Sequence, residues 1–250
     1  MVFSSIPLQS EWLIAFSINL ILILIAQRLP MLTKSGWLHA GALGTILWGC
    51  LGWKGWLSVV VYLLCGSIVT KLGFKFKQSQ GIAEARGGRR GPENVWGSAA
   101  TGTFLAMLYT SSNFVEKEIL LIGFAASFSA KLADTFGSEV GKRWGRRTFL
   151  ITSFKKVKPG TDGAISLEGT LASLLGCFLM TLVMMFLSFV SSAQEFAIVV
   201  IAGFISTLVE SVIGATIQSR FNWLSNELVN SFQTSFASLI AICTSYLILF

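Results

Sequence analysis

Residues 118–142 read EILLIGFAASFSAKLADTFGSEVGK, an apolar run that acquires Lys131, Asp134 and Glu139 only in its second half. The part from 118 to 136 suits a membrane-spanning helix, which needs roughly 20 mainly apolar residues. On a helical rod Lys131, Asp134, Thr135, Ser138 and Lys142 fall within an arc of about 100°, a polar stripe on an otherwise apolar surface. A carboxylate in hydrocarbon is costly enough that ionisable residues inside spanning segments are rare and mark sites by default. The alternative is a Lys131–Asp134 pair, spaced i to i+3, that only neutralises itself.

Seven further stretches of similar character flank this one, at 12–29, 37–53, 56–73, 95–113, 168–191, 195–218 and 231–250. Together they predict an all-α, polytopic membrane protein with about eight transmembrane helices in a single integral-membrane domain spanning 1–250. Pro30 ends the first stretch. The second is short and rich in glycine (Gly41, Gly44, Gly49, Gly52), so a re-entrant segment is the alternative there.

Composition agrees. The chain is 53% hydrophobic and 12% charged, with a mean hydropathy of +0.70, whereas about a quarter of a soluble domain is charged. A net charge of +7 would suggest a nucleic-acid partner in a soluble protein; here the basic residues sit in short loops between apolar runs, and no nucleic acid is expected. With eight spans, 17 of the 19 Lys and Arg lie on or near one side, and only Lys54 and Lys117 lie opposite. The positive-inside rule makes the first side cytoplasmic and puts both termini on the other. No Lys or Arg precedes Arg28, so the first helix is expected to be retained rather than cleaved. Two longer cytoplasmic loops result, 74–94 and 137–167, and long loops in compact domains tend to be functional.

The remaining residue types narrow the chemistry. Cys50, Cys65, Cys177 and Cys243 are scattered through apolar runs and read as small hydrophobes. His39 is the only histidine, so any metal must be held by oxygen, which points to Mg²⁺, with Mn²⁺ possible in its place. Gly160-Thr161-Asp162-Gly163-Ala-Ile-Ser166 precedes the sixth helix, where glycine N–H groups and a helix N-terminus suit an anion; an ordinary turn and cap is the competing reading. Arg89 and Arg90 offer guanidinium forks for phosphate, or a juxtamembrane contact to anionic lipid, and Asn94 follows at a helix entry. Glu210 lies inside an apolar helix, about 12 Å from its inner end, and Asn222, Asn226, Glu227 and Asn230 read as caps of the last segment. Gly137-Ser-Glu-Val-Gly141-Lys142-Arg143 is not a P-loop, because the spacing is a residue short and Arg replaces Ser or Thr.

Taken in order, Arg89-Arg90-Gly-Pro-Glu-Asn94-Val-Trp-Gly97, Ala133-Asp134-Thr135-x-x-Ser138-Glu139-x-Gly141, Gly160-Thr161-x-Gly163-x-x-Ser166-x-x-Gly169-Thr170, Ser211-x-x-Gly214-Ala215-Thr216-x-Gln218 and Asn230 resemble the integral-membrane family that includes the plant phytyl-phosphate kinases. The resemblance implies transfer of a phosphoryl group from a nucleoside triphosphate, CTP or ATP, to phytyl phosphate. The product, phytyl diphosphate, feeds tocopherol and related prenyl-lipid synthesis. One position departs from the family pattern: Glu210 stands where Asp is expected.

The residues themselves suit phosphoryl transfer, which rests on positioning and on neutralising oxygen charge. Asp134 and Glu139 are the expected metal ligands, with Lys142 and Glu210 beside them in catalysis. Arg89, Arg90, Asn94, Gly160, Thr161, Gly163, Ser166, Gln218 and Asn230 are the expected substrate-binding set. Nucleotidyl transfer to a lipid phosphate is the alternative within enzymes. A small-anion or lipid-phosphate transporter is the alternative outside them, although the outer halves of the helices are nearly pure hydrocarbon.

Overall fold

The structure, a computed structural model, describes residues 8–112, 116–221 and 223–249; the two termini, residues 113–115 and Asn222 lie outside them. Eight α-helices follow one another: α1 (Leu8–Ala26), α2 (Lys34–Lys71), α3 (Phe74–Ser79), α4 (Pro92–Ser111), α5 (Lys117–Trp144), α6 (Leu167–Phe186), α7 (Ala193–Thr216) and α8 (Asn226–Leu249). Five of them, α2, α5, α6, α7 and α8, are long and apolar enough to cross a membrane. A two-stranded antiparallel sheet, β1 (Thr148–Leu150) with β2 (Ala164–Ser166), closes the segment between α5 and α6. The protein is an all-α, multi-pass membrane protein.

The glycine-rich second stretch is one arm of a hairpin. A straight helix over α2 would be about 57 Å long, nearly twice the hydrocarbon thickness. Gly52 breaks it with φ 68° and ψ −168°, a backbone region essentially closed to residues with a Cβ. The arms then fold back together. A Cβ on Gly36 would meet the Arg90 carbonyl oxygen at 2.5 Å, and one on Gly66 would meet Arg90 Nη2 at 2.5 Å. On an unbroken helix those two glycines would be about 45 Å apart. Trp48 and Trp56, with ring centroids 5.6 Å apart, pack across the fold near its tip.

The helix α5 forms the axis of the bundle. Phe124, Ala125, Ala126, Phe128 and Ala130 are fully buried, because its alanines, serines and glycines let neighbouring backbones approach. Gly137 and Gly169 bring α5 and α6 into backbone contact, as do Leu132 and Gly176, where a Cβ on the glycine would meet the Leu132 carbonyl oxygen at 2.9 Å. Polar ties cross the interior: Gln233 Nε2 of α8 donates to Ala130 O of α5 at 3.1 Å and to Thr207 Oγ1 of α7 at 3.2 Å. Leucine, isoleucine and phenylalanine on the outer faces, such as Leu13, Phe16, Leu171, Phe178 and Phe186, are exposed, as a lipid-bathed surface requires.

Two sequence expectations shift. The helix from 118 does not stop near 136 but continues to Trp144, so the second long loop begins at Gly145. Its glycines do not end the helix, because Gly137 and Gly141 lie against Gly169 of α6. The loop then carries the β-hairpin, with strands too short to read from residue pattern alone.

Candidate functional site

The segments joining α2 to α4, α5 to α6 and α7 to α8 meet at one end of the bundle, where two cavities open. The larger, about 390 Å³, lies among α5, α6, α7 and the 159–166 loop. The smaller, about 140 Å³, lies among α2, α4, α5, α8 and the 84–90 loop. They share Glu84, Asp134, Ser138, Asn226 and Glu227, so Asp134 stands in the wall between them. Every residue selected from sequence lines one cavity or both. Lys142, Gly160, Thr161, Gly163, Ser166, Glu210 and Gln218 belong to the larger; Arg89, Arg90, Asn94, Glu139 and Asn230 belong to the smaller.

The two cavities differ in charge. The larger is lined by the carboxylates of Glu84, Asp134, Asp162, Glu210 and Glu227, with Lys142 as its only lysine or arginine among the described residues. In the smaller, Arg86, Arg89, Arg90 and Lys131 balance Glu84, Asp134, Glu139 and Glu227. The arginines and the glycine loop, grouped as one phosphate cradle from sequence, therefore stand in separate chambers.

Backbone and side chain together fix Arg90. Its N–H donates to Met31 O and its carbonyl accepts from Thr33 N, both at 3.0 Å. The side chain passes over Gly66, donates from Nη1 to Tyr62 Oη at 2.8 Å, and places its guanidinium 5.1 Å from the Tyr62 ring centre. Tyr62 Oη in turn donates to Ser98 Oγ at 3.0 Å. Asn94 is more committed to structure. Its Oδ1 accepts from Gly91 N at 2.9 Å, capping α4, and from Arg86 Nη2 at 2.8 Å, while its Nδ2 donates to Glu227 Oε1 at 2.9 Å. Arg86 is held with φ 55°, unusual outside glycine, and also pairs with Glu93.

On α5, Lys131 Nζ meets Asp134 Oδ2 at 2.5 Å, so the self-neutralising pair exists, yet Lys131 lines the smaller cavity and Asp134 lines both. Glu139 points elsewhere. Five residues on a helix rotate it about 140° from Asp134, and its carboxylate pairs with the fully buried Lys77 of α3 and lies 3.6 Å from Lys142. Lys142 also reaches Glu84 at 2.7 Å. Burial pushes the Glu84 carboxyl up, but the charge and hydrogen bond of Lys142 outweigh it and hold the group below its ordinary value.

The 159–166 loop is largely closed on itself. Thr161 Oγ1 donates to Lys158 O at 2.8 Å, Ala164 N donates to Thr161 O at 3.0 Å, and Ser166 Oγ caps α6 by accepting from Gly169 N at 3.1 Å. Gly163, at φ 73°, lets the loop rest on α7: a Cβ there would meet Ala215 N and Ser211 O at 2.5 Å. Gly137–Arg143 is helical throughout, so its N–H groups are not free to form a P-loop.

Sequence reading gave no site role to Lys77, Glu84 or Tyr62. A tyrosine within an apolar run was the available signal for Tyr62. Lys77 and Glu84 carried none, since their partners Glu139 and Lys142 lie 62 and 58 positions away. Asn230 Oδ1 and Thr148 Oγ1, on residues lining the smaller and larger cavities, are buried without a hydrogen-bond partner among the described residues.

Known proteins match along nearly the whole chain. The family described as Integral membrane protein DUF92 matches residues 17–238. An uncharacterised membrane protein of Synechocystis is 45% identical over 240 residues, covering 94% of this chain and 92% of that protein. The chloroplastic protein VTE6 of Arabidopsis thaliana is 41% identical over 244 residues, covering 95% of this chain and 73% of that protein. A membrane protein of the archaeon Methanocaldococcus jannaschii is 30% identical, with 89% of each chain covered. No solved structure matches.

Proposed function

The chain belongs to the DUF92 family of integral membrane proteins, and from that premise we propose that it is an isoprenoid-monophosphate kinase acting on phytyl phosphate. The observation that carries the reading is the pair of chambers meeting at Asp134, one rich in arginine and one reaching into the membrane domain. A phosphate oxygen of the acceptor attacks the terminal phosphorus of a nucleoside triphosphate, CTP or ATP. The bond from that phosphorus to the bridging oxygen breaks, leaving nucleoside diphosphate and phytyl diphosphate. The acceptor is already ionised, so no strong general base is required, and His39 lines neither cavity.

Arg86, Arg89 and Arg90 bind the polyphosphate, which suits rigid guanidinium donors better than mobile ammonium groups. Lys131 and Lys142 flank the junction and offset charge on the transferring group. The donor set around Asp134, Glu210 and Asp162 is entirely oxygen and fits Mg²⁺, which usually takes one or two carboxylates together with substrate phosphates. Among the described residues no three His, Cys, Asp or Glu converge to hold an ion alone, so phosphate oxygens would complete its shell. When bound, the ion would neutralise phosphate charge and orient the reacting oxygens. Glu139, occupied by Lys77 and Lys142, becomes a positioning residue instead of a ligand. The chambers face the cytoplasm in this reading, following the 17-to-2 distribution of Lys and Arg.

Purified protein should release nucleoside diphosphate from CTP or ATP only when phytyl phosphate is present. Arg90→Ala should raise the apparent KM for nucleotide about tenfold or more, near the low end of the roughly 1.5–3 kcal/mol of a hydrogen bond to a charged group, and leave the KM for lipid phosphate nearly unchanged. Lys at the same position should restore only part of the loss. Transport of lipid phosphate across proteoliposomes without nucleotide consumption would replace this reading with the transporter.

A further inference from the structure

Granting the kinase reading, on which this inference rests, we infer that the isoprenoid chain of the acceptor leaves the larger cavity between α6 and α7, with Ser173, Phe204 and Leu208 selecting its first units. The two helices form a V. In the outer half of the bundle they touch: Cys177 Sγ donates to Val200 O at 3.4 Å, and the Phe178 and Phe196 rings stack edge to face with centroids 5.2 Å apart. A Cβ on Gly203 would meet Cys177 Sγ at 2.6 Å, so the crossing is close. Toward the charged end they part, and the larger cavity fills the gap, with Thr170 and Ser173 on one wall and Phe204, Thr207, Leu208 and Ser211 on the other.

The cavity changes character with depth. Glu84, Asp162 and Gln218 reach it from the segments at the charged end, and Asp134 and Glu210 from within α5 and α7. Phe204 is twelve residues before the end of α7 at Thr216, about 18 Å along the helix, well inside the apolar part of the bundle. A polyphosphate gains nothing from Phe204 and Leu208, whereas an amphiphile with an anionic head and a branched hydrocarbon tail matches both these side chains and the charged ones. The α4–α8 side of the other chamber is closed among the described residues, since a Cβ on Gly97 would meet Glu227 O at 2.8 Å, and Thr101 Oγ1 lies 2.9 Å from both Thr234 Oγ1 and Ser235 Oγ. The outward faces of these two helices, α6 and α7, carry exposed apolar side chains, Leu171 and Leu174 on one and Ile205 and Val212 on the other. A tail emerging there enters the bilayer directly.

A phytyl phosphate carrying a photoreactive diazirine on its second isoprene unit tests this on the unaltered protein. Illumination in detergent or vesicles, followed by peptide mapping, should place adducts on α6 and α7 within 170–178 and 201–212. Adducts concentrated on α1, α2, α4 or α8 would overturn the inference. Leu208→Trp fills the inner end and should raise the KM for phytyl phosphate about tenfold or more, the scale of excess bulk in an apolar pocket. The same variant should leave the KM for nucleotide and for a one-unit prenyl monophosphate near wild type; equal loss with both acceptors would count against tail selection here. Because labelling needs no turnover, the two readings fail separately. Adducts between α6 and α7 without diphosphate product would sink the kinase and keep the tail site, and turnover with adducts elsewhere would do the reverse.

Discussion

Replacing Asp134 with Asn is expected to lower turnover by at least a hundredfold, about 2.7 kcal/mol of transition-state stabilisation. The residue stands in the wall shared by both cavities, where the proposed reaction would bring donor and acceptor phosphates together. The same change strands the buried Lys131, so folded yield and thermal midpoint in detergent will fall as well. A second substitution separates the causes. Lys131→Met in the Asp134→Asn background removes the stranded charge and should recover much of the thermal midpoint while turnover stays low. Recovery of both would make the pair a purely structural device and remove Asp134 from the chemistry.

The largest effect on stability is expected from Glu139→Gln. Lys77 is fully buried and Glu139 nearly so, and removing one member of such a pair costs about 3–5 kcal/mol because the other charge is left without compensation. That is a large share of the about 5–15 kcal/mol that holds a typical domain folded. Lys142, 3.6 Å away, would lose a second contact. Purification by fluorescence-detected gel filtration, with thermal unfolding of whatever is recovered, measures the effect. Lys77→Met combined with Glu139→Leu should return most of the stability, since apolar replacement of a whole buried pair is often neutral. If Glu139→Gln unfolds like the wild type yet loses metal-dependent activity, Glu139 is a ligand after all and its pairing with Lys77 is incidental.

Membrane character was legible in the sequence because the bilayer imposes length and polarity on every span. The turn between 37–53 and 56–73 was favoured for a different reason, because a spanning 37–53 keeps Arg28 and Lys34 with the other cations, while its glycines left a re-entrant segment open. The end of α5 at Trp144 was read only in part: the stripe through Ser138 and Lys142 assumed a helix, but the loop was started at 137, where the helix in fact continues against Gly169. Asp134 and Glu210 stood out as carboxylates in hydrocarbon, and both line the larger cavity. The division of the site was hidden. Arg89 and Gly160 look equally suited to phosphate in one dimension, and only three-dimensional placement puts one beside three other cations and the other beside five carboxylates. Asn94 and Ser166 were ambiguous for a related reason, because a cap and a ligand contact use the same atoms.

The fate of the terminal phosphate tests the central claim most directly. Purified protein in vesicles would be given phytyl phosphate, Mg²⁺ and CTP or ATP labelled in the γ-phosphate, and the label followed into lipid and aqueous products. Kinase action predicts label in phytyl diphosphate with unlabelled nucleoside diphosphate released, and loss of that signal in Asp134→Asn. Label appearing in pyrophosphate, with the nucleoside monophosphate joined to the lipid, would contradict it and make the protein a nucleotidyltransferase.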